Sequence, residues 1–339
     1  NDVDLDDGDQ LEVISVNGSA TTVLSAIGEL SWTADGSFTY IVNNESEAVQ
    51  SLAQDETLTD SFSYAISDGQ LTSTAVLTVT VAGTNDPTET QSDDNALSED
   101  ATTAVSGNVV SNDNDVDLTD TLQVTAINGD EAGEVQGDFG TLVWRADGGY
   151  DYFVDPAKAD GLAGGVTAAD VFAYQVSDGS STATDVLTIA VQGVNDAPVA
   201  VADVASTSVA SLQPATGNVL SNDSDVDSVI SVASVNGVSA PGAVPGQLGT
   251  LVWGTDGSFD YQADTTLTAV QALDEDETAV DVFDYVVSDG ELTAASSLEV
   301  IVTGKNDAPT FQSAPLVQAE TGALYSYTPV FDDVDANDT

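Results

Sequence analysis

The sequence predicts an all-β protein, a string of tandem antiparallel β-sandwiches, and three observations carry that expectation. The first is a repeat: Ser-Asp-Gly recurs at 67, 177 and 288, at steps of 110 and 111, about one domain length. The second is period-two alternation of Val, Leu, Thr and aromatic residues within each repeat, the mark of a strand with one buried face. The third is the regular placing of turn signals between those runs, which in a domain of this size points to a sandwich.

The elements follow in order. Asn-Asp followed by proline appears as N85DP87, N195DAP198 and N306DAP309. Proline lacks a donor and holds the preceding residue extended, so each run reads as a short stiff linker. Boundaries set there give repeats 1–86, 87–196 and 197–307, the first lacking its N-terminal strand, and the start of a further repeat over 308–339. Within a repeat, GTLVWGTDGSFDYQ (249–262) reads as a hairpin in which Leu251 and Trp253 face inward, Asp256-Gly257 turns, and Phe259 and Tyr261 return. Helix is confined to a turn or two, as in LTAVQAL (267–273). A second hairpin runs through Phe283, Tyr285 and Val287 to the turn Ser288-Asp289-Gly290 and returns through Leu298, Val300 and Val302. Trp32, Trp144 and Trp253 sit at alternating apolar positions, so core packing is the expectation for them rather than sugar stacking.

Charge sets the central problem. Against 58 Asp and Glu stand 3 Lys and Arg (Arg145, Lys158 and Lys305), a formal net charge of −55. Self-repulsion of that size opposes compaction, and an acidic chain is often a disordered tail. Here 41 % hydrophobic residues, with aromatics along the whole length, argue for a packed fold. A solvated halophile-type surface, bound divalent cations or a cationic partner would each answer the charge. No nucleic-acid partner is expected. With no Cys, Met or His, thiolate and imidazole metal sites, disulfides and Cys or His catalysis are excluded within these residues, leaving oxygen ligands. No apolar run approaches the roughly 20 residues of a membrane span, and a start at Asn1 reads as an internal piece.

The carboxylates are positioned. Asp2-Asp4-Asp6, Asp113-Asp115-Asp117 and Asp223-Asp225-Asp227 each alternate, so in extended backbone each set points to one side. Dense hard oxygen ligands suit calcium. An EF-hand is excluded, because Asp7, Leu118 or Ser228 stands where that loop needs Gly, and Val13, Val124 or Ser234 where it needs Glu. The acids of Ser-Asp-Gly (Asp68, Asp178 and Asp289) read as ordinary turn residues.

The succession GNVLSND-DVD, GTL-W--DG-F-Y, D-F-Y--SDG and G-NDAP resembles the cadherin-like and VCBS-type repeats of giant bacterial surface proteins, many of them RTX adhesins. The resemblance covers two full repeats and most of the first. It implies Greek-key, Ig/cadherin-like sandwiches and calcium at the junctions, held by an early Glu, an acidic pair before the last hairpin, an Asn-Asp linker and a DxD in the next repeat. Carried over, the first junction would use Asp55, Glu56, Asn85, Asp86, Asp115 and Asp117. The second would use Glu99, Asp170, Asn195, Asp196, Asp225 and Asp227, with Asp170 the one acid where a pair should stand. The third would use Asp276, Glu277, Asn306, Asp307, Asp333 and Asp335, with Val209 at the early Glu position and Glu320 restoring it in the fourth repeat.

The implied role is structural: calcium-stiffened extender repeats of an extracellular bacterial adhesin at the cell surface, each repeat partnered by its neighbours in the chain. The alternative keeps the fold but has the repeats self-associate into a sheath or filament, or bind glycans. An enzyme is not expected, because the acidic pairs recur at every step and form no unique cleft, and repetition favours an additive role.

Overall fold

A computed structural model describes residues 2–3, 10–314, 318, 321–322 and 324–335. Asp4, Asp6, Asp7 and Glu320 lie outside the described residues. The chain forms two compact units, one of residues 1–159 with 168–191, the other of residues 160–167 with 192–339.

The first unit holds two sandwiches. In the second repeat one sheet runs in the order Glu134–Gln136, Gly140–Trp144, Gly149–Val154 and Val105–Asn108. The other runs Asp93–Ser98, Thr182–Gln192, Thr167–Ser177 and Gln123–Ile127. The inward residues meet across the gap, as where Tyr152 and Phe172 make an edge-to-face pair with ring centroids 6.1 Å apart. In the first repeat each sheet has three strands among the described residues, Glu12–Val16 with Thr57–Ser67 and Thr72–Ala82, and Val23–Leu24 with Gly28–Trp32 and Phe38–Val42. Trp32 is consequently half-buried, whereas Trp144 and Trp253 are buried.

The second unit repeats the plan. Asp203–Ser208, Thr293–Thr303, Thr278–Ser288 and Ser231–Val235 form one sheet, and Ala215–Asn218, Ser258–Ala263, Gly249–Trp253 and Gly242–Pro245 the other. Both expected hairpins are present, Gly249–Trp253 with Ser258–Ala263 and Thr278–Ser288 with Thr293–Thr303, and the helical turn falls at Thr268–Gln271. Asp203–Ser208 departs from the antiparallel expectation, lying parallel to Thr293–Thr303. It enters directly from the linker at the domain's end, so its direction is set by the chain's arrival and not by a hairpin. Beyond it, Thr310–Phe311 pairs with Phe331–Asp332.

The second and third sandwiches each hold a buried carboxylate between their two sheets, Asp170 and Asp281. Asp170 is 3 % exposed and accepts the N–H of Asp138 at 2.7 Å, that of Phe139 at 3.1 Å and the Tyr152 hydroxyl at 2.6 Å. Asp281 does the same with the N–H groups of Gln247 and Leu248 and the Tyr261 hydroxyl. The close approach requires glycine beside the carboxylate, since a Cβ on Gly137 would lie 2.1 Å from Asp170 Oδ2. These acids tie the turn between two strands to the facing sheet.

Candidate metal centres

At the first linker, three elements converge. The N–H of Asp86 donates to Asp117 Oδ2 at 2.8 Å, and the Thr88 hydroxyl donates to Asp115 Oδ2 at 2.9 Å, so the linker is bonded to the alternating acids of the second repeat. Asp115, Asp117 and Asp120 each bring a carboxylate oxygen within 4.8 Å of the others. Asp117 is 2 % exposed, and its Oδ1 is buried with no hydrogen-bond partner, as is Asn85 Oδ1. Burial raises the Asp120 carboxyl above the usual range, and the charges of Asp117, Asp115, Asp178 and Glu56 raise it further, so these acids share one field.

Asp178 reaches the same place from the Ser-Asp-Gly turn. Its Oδ1 caps the turn through the N–H groups of Ser180 and Ser181, while Asn85 donates to its Oδ2 at 3.3 Å. Burial pushes this carboxyl up, but the Ser181 hydroxyl and the turn N–H groups outweigh it and bring it to about 2. It is therefore a turn residue and a junction residue at once. Asp120, Asp178 and Asp289 are the residues that sequence reasoning missed. Recurrence of Ser-Asp-Gly at the linker's own step was the available signal.

At the second linker, within the second unit, Asn195 donates to Asp289 Oδ2 at 2.9 Å. Asp225 Oδ1 accepts the N–H groups of Asp227 and Ser228, and Asp225 Oδ2 and both oxygens of Asp227 are buried without a hydrogen-bond partner. Burial raises the Asp225 carboxyl, and adjacent Asp227 adds to the rise. Asp196, in the linker, is half-buried. At the third, the N–H of Asp307 donates to Asp335 Oδ2 at 2.7 Å, and that of Asp335 to Asp333 Oδ1. Asp335 is 3 % exposed with Oδ1 unpartnered, and Lys305 pairs with Asp307 at 3.2 Å. Asn306 donates to the Asp307 carbonyl.

Asp170 stands apart from all of these, because both its oxygens are engaged inside the sandwich. The corresponding acids of its neighbours are Asp60 and Asp281, which likewise accept tyrosine hydroxyls from Tyr40 and Tyr261, not the acidic pairs Asp55-Glu56 and Asp276-Glu277. Glu99 is buried in the first unit after the strand Asp93–Ser98. Asp55 and Asp276 are exposed, both at φ 68°, and Glu56 Oε2 accepts its own loop's Ala53 N–H, as Glu277 Oε2 accepts that of Asp274. Asp113 and Asp223, first of each alternating set, leave the junction and meet tyrosine hydroxyls of their own repeat, Tyr174 and Tyr285.

The bacterial cadherin-like domain model matches residues 1–83, 85–193 and 195–304. The chain belongs to this family. Among curated relatives, the calcium-binding lectin RapA2 of Rhizobium johnstonii is 32 % identical over 222 residues, 60 % of this chain and 91 % of that protein. The protocadherin gamma B4 extracellular domain aligns with a TM-score of 0.50 at 13 % identity, over 95 % of this chain and 49 % of that one, a likeness of fold. Mouse protocadherin gamma C3, cadherin domains 1–3, aligns with a TM-score of 0.44 at 12 % identity, over 88 % of this chain and 89 % of that one.

The cadherin-like junctions carry all-oxygen donor sets with buried carboxylate oxygens that no protein donor satisfies. Ion pairs among the described residues are Arg145 with Asp147 and Asp151, and Lys305 with Asp307. A hard divalent cation fits the first two junctions, because it would neutralise adjacent carboxylates and take up the unpartnered oxygens together.

Proposed function

We propose that these cadherin-like repeats are calcium-stiffened spacer modules of an extracellular bacterial adhesion protein. The observation that carries this reading is the first junction, where the linker and the next repeat assemble Asn85, Asp115, Asp117, Asp120 and Asp178 around buried oxygens without donors. Ligands drawn from linker and domain together make ion binding a function of their alignment. Calcium would therefore stabilise the aligned, folded state by mass action, and the residual carboxylate repulsion would loosen the linkers without it. Similarity to a lectin named for calcium binding supports the choice of ion. The alternating acids, the Asn-Asp linkers and the turn acids act as ligands, and no residue is assigned a catalytic role.

Thermal melting and small-angle scattering in millimolar calcium and in EDTA test this. Chelation should lower the melting temperature and broaden the distribution of dimensions, and added calcium should restore both. Unchanged curves would refute the calcium reading.

A second reading, glycan binding, draws on the same lectin relative. Calcium-dependent retention of the full chain on a glycan array would favour it, and calcium-dependent stiffening with no glycan retained would favour the spacer.

A further inference from the structure

The three loops that precede the long hairpins occupy one backbone position. The carbonyls of Glu56, Val166 and Glu277 each accept the N–H of a linker glycine, Gly83, Gly193 and Gly304, at 2.9, 2.8 and 2.8 Å. The residue before each has positive φ, 68° at Asp55, 80° at Gly165 and 68° at Asp276. Side chains differ where backbones agree: the second loop has glycine and a 48 % exposed valine where the others have an acidic pair.

The opposite half of the second junction is reduced as well. Asn128 and Asn236 are equivalent, at φ 50° and 49°, each accepting an N–H from the long hairpin strand, Ala173 and Asp284. From Asp117 to Asn128 the chain takes 11 steps, but from Asp227 to Asn236 only 9, and the shortened turn has Ser228 next to Asp227 with no acid corresponding to Asp120. From linker, alternating acids, turn acids and the loop before the long hairpin, the first junction thus gathers Glu56, Asp86, Asp115, Asp117, Asp120 and Asp178, and the second Asp196, Asp225, Asp227 and Asp289, to which the resemblance adds Glu99.

We infer that the second junction is a calcium-weak hinge, because Val166 stands where the first junction has Glu56 and the shortened turn after Asp227 has no counterpart of Asp120. The inference rests on the calcium reading of the junctions. Calcium affinity follows the number of charged ligands, so the loss of two predicts a calcium midpoint at least about tenfold higher than at the first junction. Asp160 is the one acid of the loop 160–167, and it stands where Gln50 and Gln271 stand in the neighbouring repeats, six residues before Val166. At intermediate calcium the first joint would be set while the second still bends.

The chain has no cysteine, so labels can be placed at will. Exposed, equivalent positions flank each joint: Ser61→Cys with Val171→Cys reports on the first, and Val171→Cys with Val282→Cys on the second. Single-molecule distance distributions of the full chain, titrated with calcium, should narrow at the first joint about tenfold below the calcium needed at the second. Val166→Glu should lower the second midpoint about tenfold, Glu56→Val should raise the first, and Asp160→Asn should leave the second unmoved. Equal midpoints, no shift with Val166→Glu, or loss of the second response with Asp160→Asn would overturn the hinge and leave the calcium reading intact. No calcium response at either joint would overturn both.

Discussion

Asp170 and Asp117 are buried to the same degree, 3 % and 2 % exposed, and they are opposites. Asp170 sits inside a sandwich, takes two backbone N–H groups and a tyrosine hydroxyl, and leaves neither oxygen idle. Asp117 sits at a linker, takes one N–H from Asp86 and keeps a buried oxygen with no partner. The first is the usual solution for a buried carboxylate. The second keeps an acceptor that no donor among the described residues fills. In a chain of net charge −55, burial of a carboxylate is therefore no guide to its role, whereas the supply of donors around it, taken together with its place beside a linker, is.

The largest expected effect breaks the interior half of this comparison. Asp170→Ala strands the N–H groups of Asp138 and Phe139 and the Tyr152 hydroxyl, and at about 1–3 kcal/mol for each buried unpaired group it should destabilise its repeat by at least about 3 kcal/mol. Urea unfolding should give the same loss in calcium and in EDTA. A loss confined to calcium would place Asp170 among the metal ligands after all.

Asp117→Asn tests the other half, and its sign should depend on the solution. In EDTA it removes a repelling charge, so the melting temperature should hold or rise. In calcium it should weaken ion binding about tenfold, a loss of about 1.4 kcal/mol of calcium-linked stability. Equal effects in the two solutions would erase the distinction between the two kinds of carboxylate.

Salt sharpens the comparison more gently. In EDTA, sodium chloride raised from about 0.01 to 1 M shortens the screening length from about 30 to 3 Å and should raise the melting temperature by easing repulsion among the junction acids. In saturating calcium the same salt should do much less. Thermal melts across that range measure both slopes.

The smallest effect concerns Asp93, which like Asp117 keeps a buried oxygen without a partner but lies on the strand Asp93–Ser98 and not at a linker. Burial pushes its carboxyl up to about 6, nearby Asp113 adds to that, and the Tyr174 hydroxyl partly opposes it. Its folded-state value lies above the unfolded one, so its protonation favours the fold at low pH and that gain is lost as pH rises through about 6. Asp93→Asn should stabilise the chain at pH 7 and the advantage should shrink by pH 5, as read from melts at the two values.

Much of this fold was legible because it is written in alternation and turns. Leu251, Trp253, Phe259 and Tyr261 announce a hairpin by period alone, and the repeat step multiplies that signal. The parallel edge strand Asp203–Ser208 was not legible, because its side-chain pattern is the same whichever way it runs. At the sites, Asp115, Asp117, Asp225 and Asp227 were visible as spaced acids beside the linkers. Asp170 misled, since counting acids before the hairpin does not reveal that its counterparts are Asp60 and Asp281, each facing a tyrosine of the opposite sheet. Asp178 and Asp289 were hidden for a different reason: their turn role is sufficient locally, and the link to Asn85 and Asn195 spans more than 90 residues of sequence.

The most direct test of the central claim is a calorimetric calcium titration of the full chain beside two variants, the double Asp117→Asn, Asp227→Asn and the single Asp170→Asn. The account predicts that the double variant loses binding heat at the junctions while Asp170→Asn binds as the unaltered chain does. Binding that survives the double substitution unchanged, or that disappears with Asp170→Asn while the chain remains folded, would contradict it.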